Sequence, residues 1–156
     1  MLTKPKIKIV DNSLIRAEIA KLYEITNKVN LAKWSLSLAK HILLLLDLDY
    51  ERVDVIRDGF QVNVMWQSDK ARMHDVRQAG FKVHKLARDT NNIVYQTALR
   101  VVGQAVGSGH MREHSLVAFD YAIKVIGLIS NNDLDSITKE RIWQLEELRK
   151  IIKINQ

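Results

Sequence analysis

Apolar residues recur at spacings of three and four along almost the whole chain, the period of a helix that turns one face to a core. The pattern predicts helices near 13–27, 30–46, 50–67, 70–89, 92–107, 112–130 and 135–154, with the polar stretch "SNNDLDS" at 130–136 as the clearest loop. Residues able to cap a first turn stand just ahead of these segments: Asn12 or Ser13, Asn30, Asp49, Asp69, Thr90 or Asn91, and Asp135. Their side-chain oxygens can accept from the free N–H groups of a helix start. A single proline, Pro5, and six glycines leave few breaking points. Only "FQVNVMW" at 60–66 alternates strictly enough to fit a strand, and the helical segments on both sides favour helix there. The expectation is an all-α fold, a compact single-domain bundle of six to seven helices, with residues 1–11 as an irregular N-terminal arm.

The faces of these helices differ in character. Helix 30–46 ends in "HILLLLDL", apolar on all sides, which predicts a central buried element. Helix 112–130 is nearly as apolar, with only Glu113, Asp120 and Lys124 as a narrow wet stripe. Helix 92–107 carries Gln96, Arg100 and Gln104 beside Gly103 and Gly107, four residues apart. Two glycines on one ridge let a neighbouring backbone come close, so a packing role is expected there. Trp34, Trp66 and Trp143 fall on three different helices as anchors of the bundle.

Bulk properties narrow the class of protein. At 156 residues a chain buries roughly 70% of its unfolded surface, enough for a true core. There is no cysteine, which excludes disulfides and thiolate chemistry and fits a cytoplasmic setting. The longest apolar run, residues 42–48, falls far short of the roughly 20 residues that span a bilayer. No signal-peptide pattern follows the basic start "MLTKPKIKIV". The net charge is +6, from 24 Lys and Arg against 18 Asp and Glu, a balance that suits an acidic protein surface or nucleic acid.

Two stretches could carry chemistry. His110-Met111-Arg112-Glu113-His114 spells H-x-x-E-H, the inverted zinc-protease pattern, in which two imidazoles one turn apart hold a metal and the glutamate activates water. A third ligand would have to come from Glu140, Glu146 or Glu147. Gly107-Ser108-Gly109 directly upstream predicts a helix boundary near His110, and across such a boundary the two histidines need not share a face. The reading adopted is therefore structural, without metal or cofactor: Gly103, Gly107, His110, His114 and Tyr121 form a packed helix joint, with His114 bonded to a free helix-end carbonyl. A metal-dependent hydrolase using His110, Glu113 and His114 is the alternative. The second stretch is the helix at 70–89. Its apolar face gathers Met73, Val76, Gly80, Val83 and Ala87, and the opposite face gathers Lys70, His74, Arg77, Phe81, Lys85 and Arg88, with His84 at the edge. A basic stripe around an aromatic ring suits an acidic protein partner, since arginine and aromatic side chains make strong contact points. It also suits a phosphate backbone, which ranks lower because no nucleic-acid motif is present. No P-loop, nucleophile elbow or dinucleotide-binding glycine pattern occurs. The sequence leaves self-association as a homo-oligomer open.

Several phrases together resemble a family of immunity proteins, small all-helical bacterial proteins of toxin–immunity systems. "LRVVGQAVGSGHMREHSLVAFDYAIKV" (99–125) has the family's glycine-bearing helix, its break at a histidine, a second histidine and the A-x-x-Y-A stretch. "LAKWSLSLAKHILLL" (31–45), "GFKVHKLARD" (80–89) and "ERIWQLEEL" (140–148) are similar to three further helices, so the resemblance runs from about Leu31 to Leu148. Val and Ser stand where the family has several alanines. The resemblance implies a cytoplasmic protein that binds and blocks a cognate toxin. It brings no catalytic or contact residues, and implies that the two histidines belong to a family packing feature.

Overall fold

The computed structural model describes residues 4–154, and among them the chain forms seven α-helices, two short 3-10 turns and no strand. The helices are α1 (Ser13–Ile25), α2 (Lys28–Leu45), α3 (Asp54–Gln67), α4 (Met73–Arg88), α5 (Ile93–Val106), α6 (Glu113–Ser130) and α7 (Leu134–Ile154). The 3-10 turns are Tyr50–Arg52, before α3, and Gly107–Gly109, between α5 and α6. Residues 60–66 are helical within α3, as their neighbours imply. Residues 4–11 are irregular.

Several helix starts lie away from the expected caps, because the oxygen that wins is the one that reaches a first-turn N–H. Asn12 does so for α1, bonding Ile15 N at 3.2 Å. Asn27 rather than Asn30 opens α2, accepting from Asn30 N at 2.8 Å, and Asn30 becomes a first-turn residue. Asp49 caps the 3-10 turn, and α3 begins only at Asp54. Asn92, one residue past Asn91, caps α5 through Val94 and Tyr95. Asp133, not Asp135, accepts from Ser136 N at 3.1 Å and Ser136 Oγ at 2.6 Å at the start of α7. Asp69 belongs to the end of α3: it takes a left-handed φ of 58°, and Lys70 N returns to Met65 O at 2.8 Å. Asp47 and Asn131 close α2 and α6 in the same way, through Leu48 N to Leu43 O and Asn132 N to Gly127 O. Short polar side chains tolerate this conformation better than branched ones.

Helix α5 lies at the centre, against α4 on one side and α6 on another, with α2 packed across it. Helix α3 leans on α4, while α1 pairs with α7, which closes over α2 and α6. Trp34 and Phe119 stack in the middle of this core, among buried Leu38, Ile42, Val102 and Ile123. Each such aliphatic side chain contributes roughly 1.5–3 kcal/mol by leaving water. Helix α2 is buried along its body, but Leu44 in its last turn is 66% exposed. Met73, expected on the apolar face of α4, is exposed as well.

The expected wet stripe on α6 is corrected at Asp120, which is only 2% exposed. Helix α1 covers it. Arg16 donates to both carboxylate oxygens at 2.9 Å, and Arg141 of α7 donates to Oδ1 at 2.7 Å. Arg141, fully buried, also grips Asp11 at 2.8 and 2.9 Å and Gln144 at 2.8 Å. Burial alone would pull the Arg141 guanidinium down, and its bonds to Asp11 and Asp120 override that and raise it. Two cations thus meet two anions inside the bundle, tying the N-terminal arm, α1, α6 and α7 together. Buried charges persist only when so satisfied.

Candidate functional site

The joint between α5 and α6 begins with a problem of unsatisfied carbonyls, because the last turn of any helix lacks intrahelical donors. Asn63, buried on α3, solves it by donating to Val106 O at 2.9 Å and Ala105 O at 3.4 Å. Ser108 Oγ donates to Ala105 O at 2.6 Å. The backbone then runs through Gly107–Gly109 with His110 N bonded to Gly107 O at 2.8 Å. On the far side, Arg112 donates to Tyr23 O at 2.6 Å and lies over the Tyr23 ring at 4.9 Å, which fastens the joint to α1.

Glycines here create close approach. A Cβ on Gly80 of α4 would stand 3.3 Å from Gly103 O and 3.5 Å from the Gly107 backbone, so α4 and α5 meet main chain to main chain. A Cβ on Gly103 would fall 2.6 Å from the His84 ring, and one on Gly109 3.0 Å from Trp66 and Val76.

The helix boundary falls where the glycines predict, yet it does not part the two histidines. His110 and Arg112 keep right-handed helical backbone angles, and α6 packs along α5. The rings of His110 and His114 lie with centroids 5.8 Å apart and planes at 29°. His114 is not bonded to a helix-end carbonyl, since Asn63 and Ser108 serve those carbonyls. Its Nδ1 sits 2.6 Å from Gln104 Oε1. Glu113 faces another way, in an exposed pair with Lys6 at 3.5 Å. Glu140, once a candidate third ligand, holds His41 instead, at 3.0 Å from both its oxygens. Among the described residues no three His, Asp or Glu side chains are grouped so that they could hold a metal ion.

Two sets of residues that looked separate in the sequence border one cleft of about 240 Å³. Arg77, Phe81 and His84 line it from α4, Gln104 from α5, and His110 and His114 from the joint and α6; Gly80, Gly103 and Gly107 supply backbone. No carboxylate lines it. Arg100 donates to His84 Nδ1 at 2.9 Å. A guanidinium has no acceptor, so this bond leaves the His84 proton on Nε2. Burial, then the charges of Arg100, His114 and Arg88, push the His84 pKa down to about 4. Burial and then neighbouring His110 lower His114 as well, against the opposing pull of Glu113. Both rings are therefore neutral at pH 7. His110 Nδ1 is buried with no hydrogen-bond partner among the described residues.

The rest of the predicted face is placed as follows. Arg77 lies over the Phe81 ring at 5.1 Å, and Phe81 is 50% exposed. His74, Lys85 and Arg88 are exposed on α4 but do not line the cleft. Lys70 is exposed in the turn before α4, because the helix begins three residues later than expected. Tyr121 packs against the core, away from the cleft. Sequence reasoning noted His84, Gln104 and Arg100 but did not count them among the site residues. Their signal was present: Arg100 and Gln104 flank Gly103, and His84 follows Gly80 by four residues. Larger concavities lie elsewhere, one of about 420 Å³ beside Phe60 and Met65 and one of about 380 Å³ beside Ile9 and Gly127, but neither gathers a histidine.

Comparison with known families decides the kinship. The family described as "Imm-5 like putative immunity protein" matches residues 21–151, most of the chain and all of the cleft. The chain belongs to this immunity-protein family. No curated protein and no solved structure matches it. The matched span agrees with the resemblance carried by the motifs at 31–148, and the all-helical bundle is the fold that resemblance implied. No helix among the described residues is long and apolar enough to cross a membrane.

Proposed function

We propose that this immunity-family chain is a non-enzymatic cytoplasmic protein that binds a cognate toxin and neutralises it by occlusion. The observation that carries this reading is the state of α4. From Arg77 to Arg88 the helix has four cations, Arg77, Lys82, Lys85 and Arg88, and no acid. Among the described residues none of the four has an ion-pair partner. A cationic ridge left unpaired by its own fold, with the half-exposed Phe81 in its middle, suits an acidic patch on a protein partner. Arginine and aromatic side chains are the residues that most often dominate binding energy, and opposite charge speeds encounter. The surface is preformed on a packed helix, so little ordering is needed on association.

The test is to co-express the chain with any toxin-like product encoded beside its gene and measure the complex by calorimetry. Arg77→Glu with Lys85→Glu should weaken binding at least about a hundredfold, near 2.7 kcal/mol. Unchanged affinity would remove α4 from the contact.

A further inference from the structure

We infer that the cleft between α4 and the α5–α6 joint is a carboxylate pocket that receives one aspartate or glutamate side chain of the protein partner. This rests on the immunity reading for the identity of the partner, whereas the chemistry of the pocket stands by itself.

The wall offers donors and no acid. Arg77 lines the cleft without an ion pair among the described residues. Arg100 occupies His84 Nδ1, so the His84 Nε2–H is the remaining donor of that ring. Gln104 gives its oxygen to His114, which leaves its NH2 group for a ligand. His110 also lines this wall, with its Nδ1 buried and without a protein partner among the described residues.

Size and floor restrict the occupant. About 240 Å³ lies below the roughly 300–1,000 Å³ of pockets for drug-sized ligands, so a nucleotide is too large and a single side chain fits. Gly80, Gly103 and Gly107 supply only backbone to the cleft, and the space side chains would take there is filled by main chain and by the His84 and His114 rings. A bidentate guanidinium such as Arg77 matches the geometry of a carboxylate. The low proton affinity of His84 and His114 supports the same assignment. After burial, the charges of Arg100 and Arg88 contribute to the lowering of His84, so the cleft is electropositive, and an anion lodged there would favour protonation of the rings. The groups facing them are Arg88 of α4, Arg100 of α5, His110 of the joint, Glu113 of α6 and Lys6 of the arm.

The free protein tests the chemistry. Glutarate and inorganic phosphate are titrated separately into 15N-labelled protein while the imidazole resonances of His84, His110 and His114 are followed. Glutarate should move all three saturably in the millimolar range. Arg77→Ala should weaken this at least about tenfold, whereas Lys85→Ala, an exposed cation off the cleft, should change it less than about twofold. Absence of saturable shifts, equal effects of the two variants, or a response to phosphate alone each overturns the carboxylate pocket. With the cognate toxin in hand, glutarate should compete for the complex. A complex indifferent to both glutarate and Arg77→Ala overturns the pocket as an anchor but leaves the immunity reading intact. Failure of any complex to form, with glutarate still binding, overturns the toxin as the source of the carboxylate.

Discussion

Replacing Gly103 by alanine should destabilise the protein, against the ordinary trend for a helix interior. At an unconstrained position the change would stabilise by about 1 kcal/mol, because alanine loses less backbone freedom on folding. Here the new methyl would stand 2.6 Å from His84 Cε1 and 2.8 Å from both ring nitrogens, so the imidazole must move. Overpacking of this kind costs about 1–3 kcal/mol. A displaced ring also gives up its bond from Arg100, and a bond to a charged group contributes about 1.5 kcal/mol at the lower end expected for a half-buried site. The sum leaves Gly103→Ala destabilising by about 2 kcal/mol, which for a chain of this length lowers Tm by about 4–8 °C. Urea titrations of the four members of a double-mutant cycle, with His84→Ala as the second change, check the cause. Without the imidazole the three atoms nearest the methyl are gone, so Gly103→Ala should become neutral or stabilising by up to about 1 kcal/mol in that background. If the alanine costs the same in both backgrounds, or stabilises the parent protein, the contact between Gly103 and His84 is not what holds α4 against α5.

Two other perturbations have equally definite signs. Asp120→Ala leaves Arg16 short of its carboxylate and Arg141 buried with Asp11 alone, and should cost about 3–5 kcal/mol in chemical denaturation; a loss under about 1 kcal/mol would mean that the network contributes little. His84 and His114 have folded-state pKa values below the ordinary 6.5, near 4 for His84. The unfolded chain therefore takes up their protons first, so their contribution is complete above pH 6.5 and is lost as pH falls from there toward 4. Discounted for partial exposure, His84 accounts for about 2 kcal/mol, and His84→Asn should flatten the fall in stability over that window. An unchanged pH profile in the variant would assign the acid sensitivity elsewhere.

The bundle was legible because its information is local. Apolar spacing placed seven helices in order, with starts off by a few residues where a competing oxygen reached the first-turn N–H, as Asn27 did over Asn30. The ridge of Gly103 and Gly107 announced a close backbone contact, though not that Gly80 and His84 supply the other side. Asp120 was misjudged because a helical wheel knows only its own helix: whether a polar stripe meets water depends on what covers it, and α1 brings Arg16 there. The H-x-x-E-H spelling has the same limit. The spacing brings two imidazoles together, but Glu113 is drawn outward by Lys6, more than a hundred residues away along the chain.

The chain alone thus determined the all-helical class and the family to which it belongs. Each depends on periods and residue types within one or two turns. Only the tertiary structure decided that the ridge and the joint share a wall, that two histidines are held neutral there, and that the acid expected on the surface is buried between two arginines. Those outcomes depend on burial and on charges from other helices, and such long-range neighbours exist only once the helices have packed.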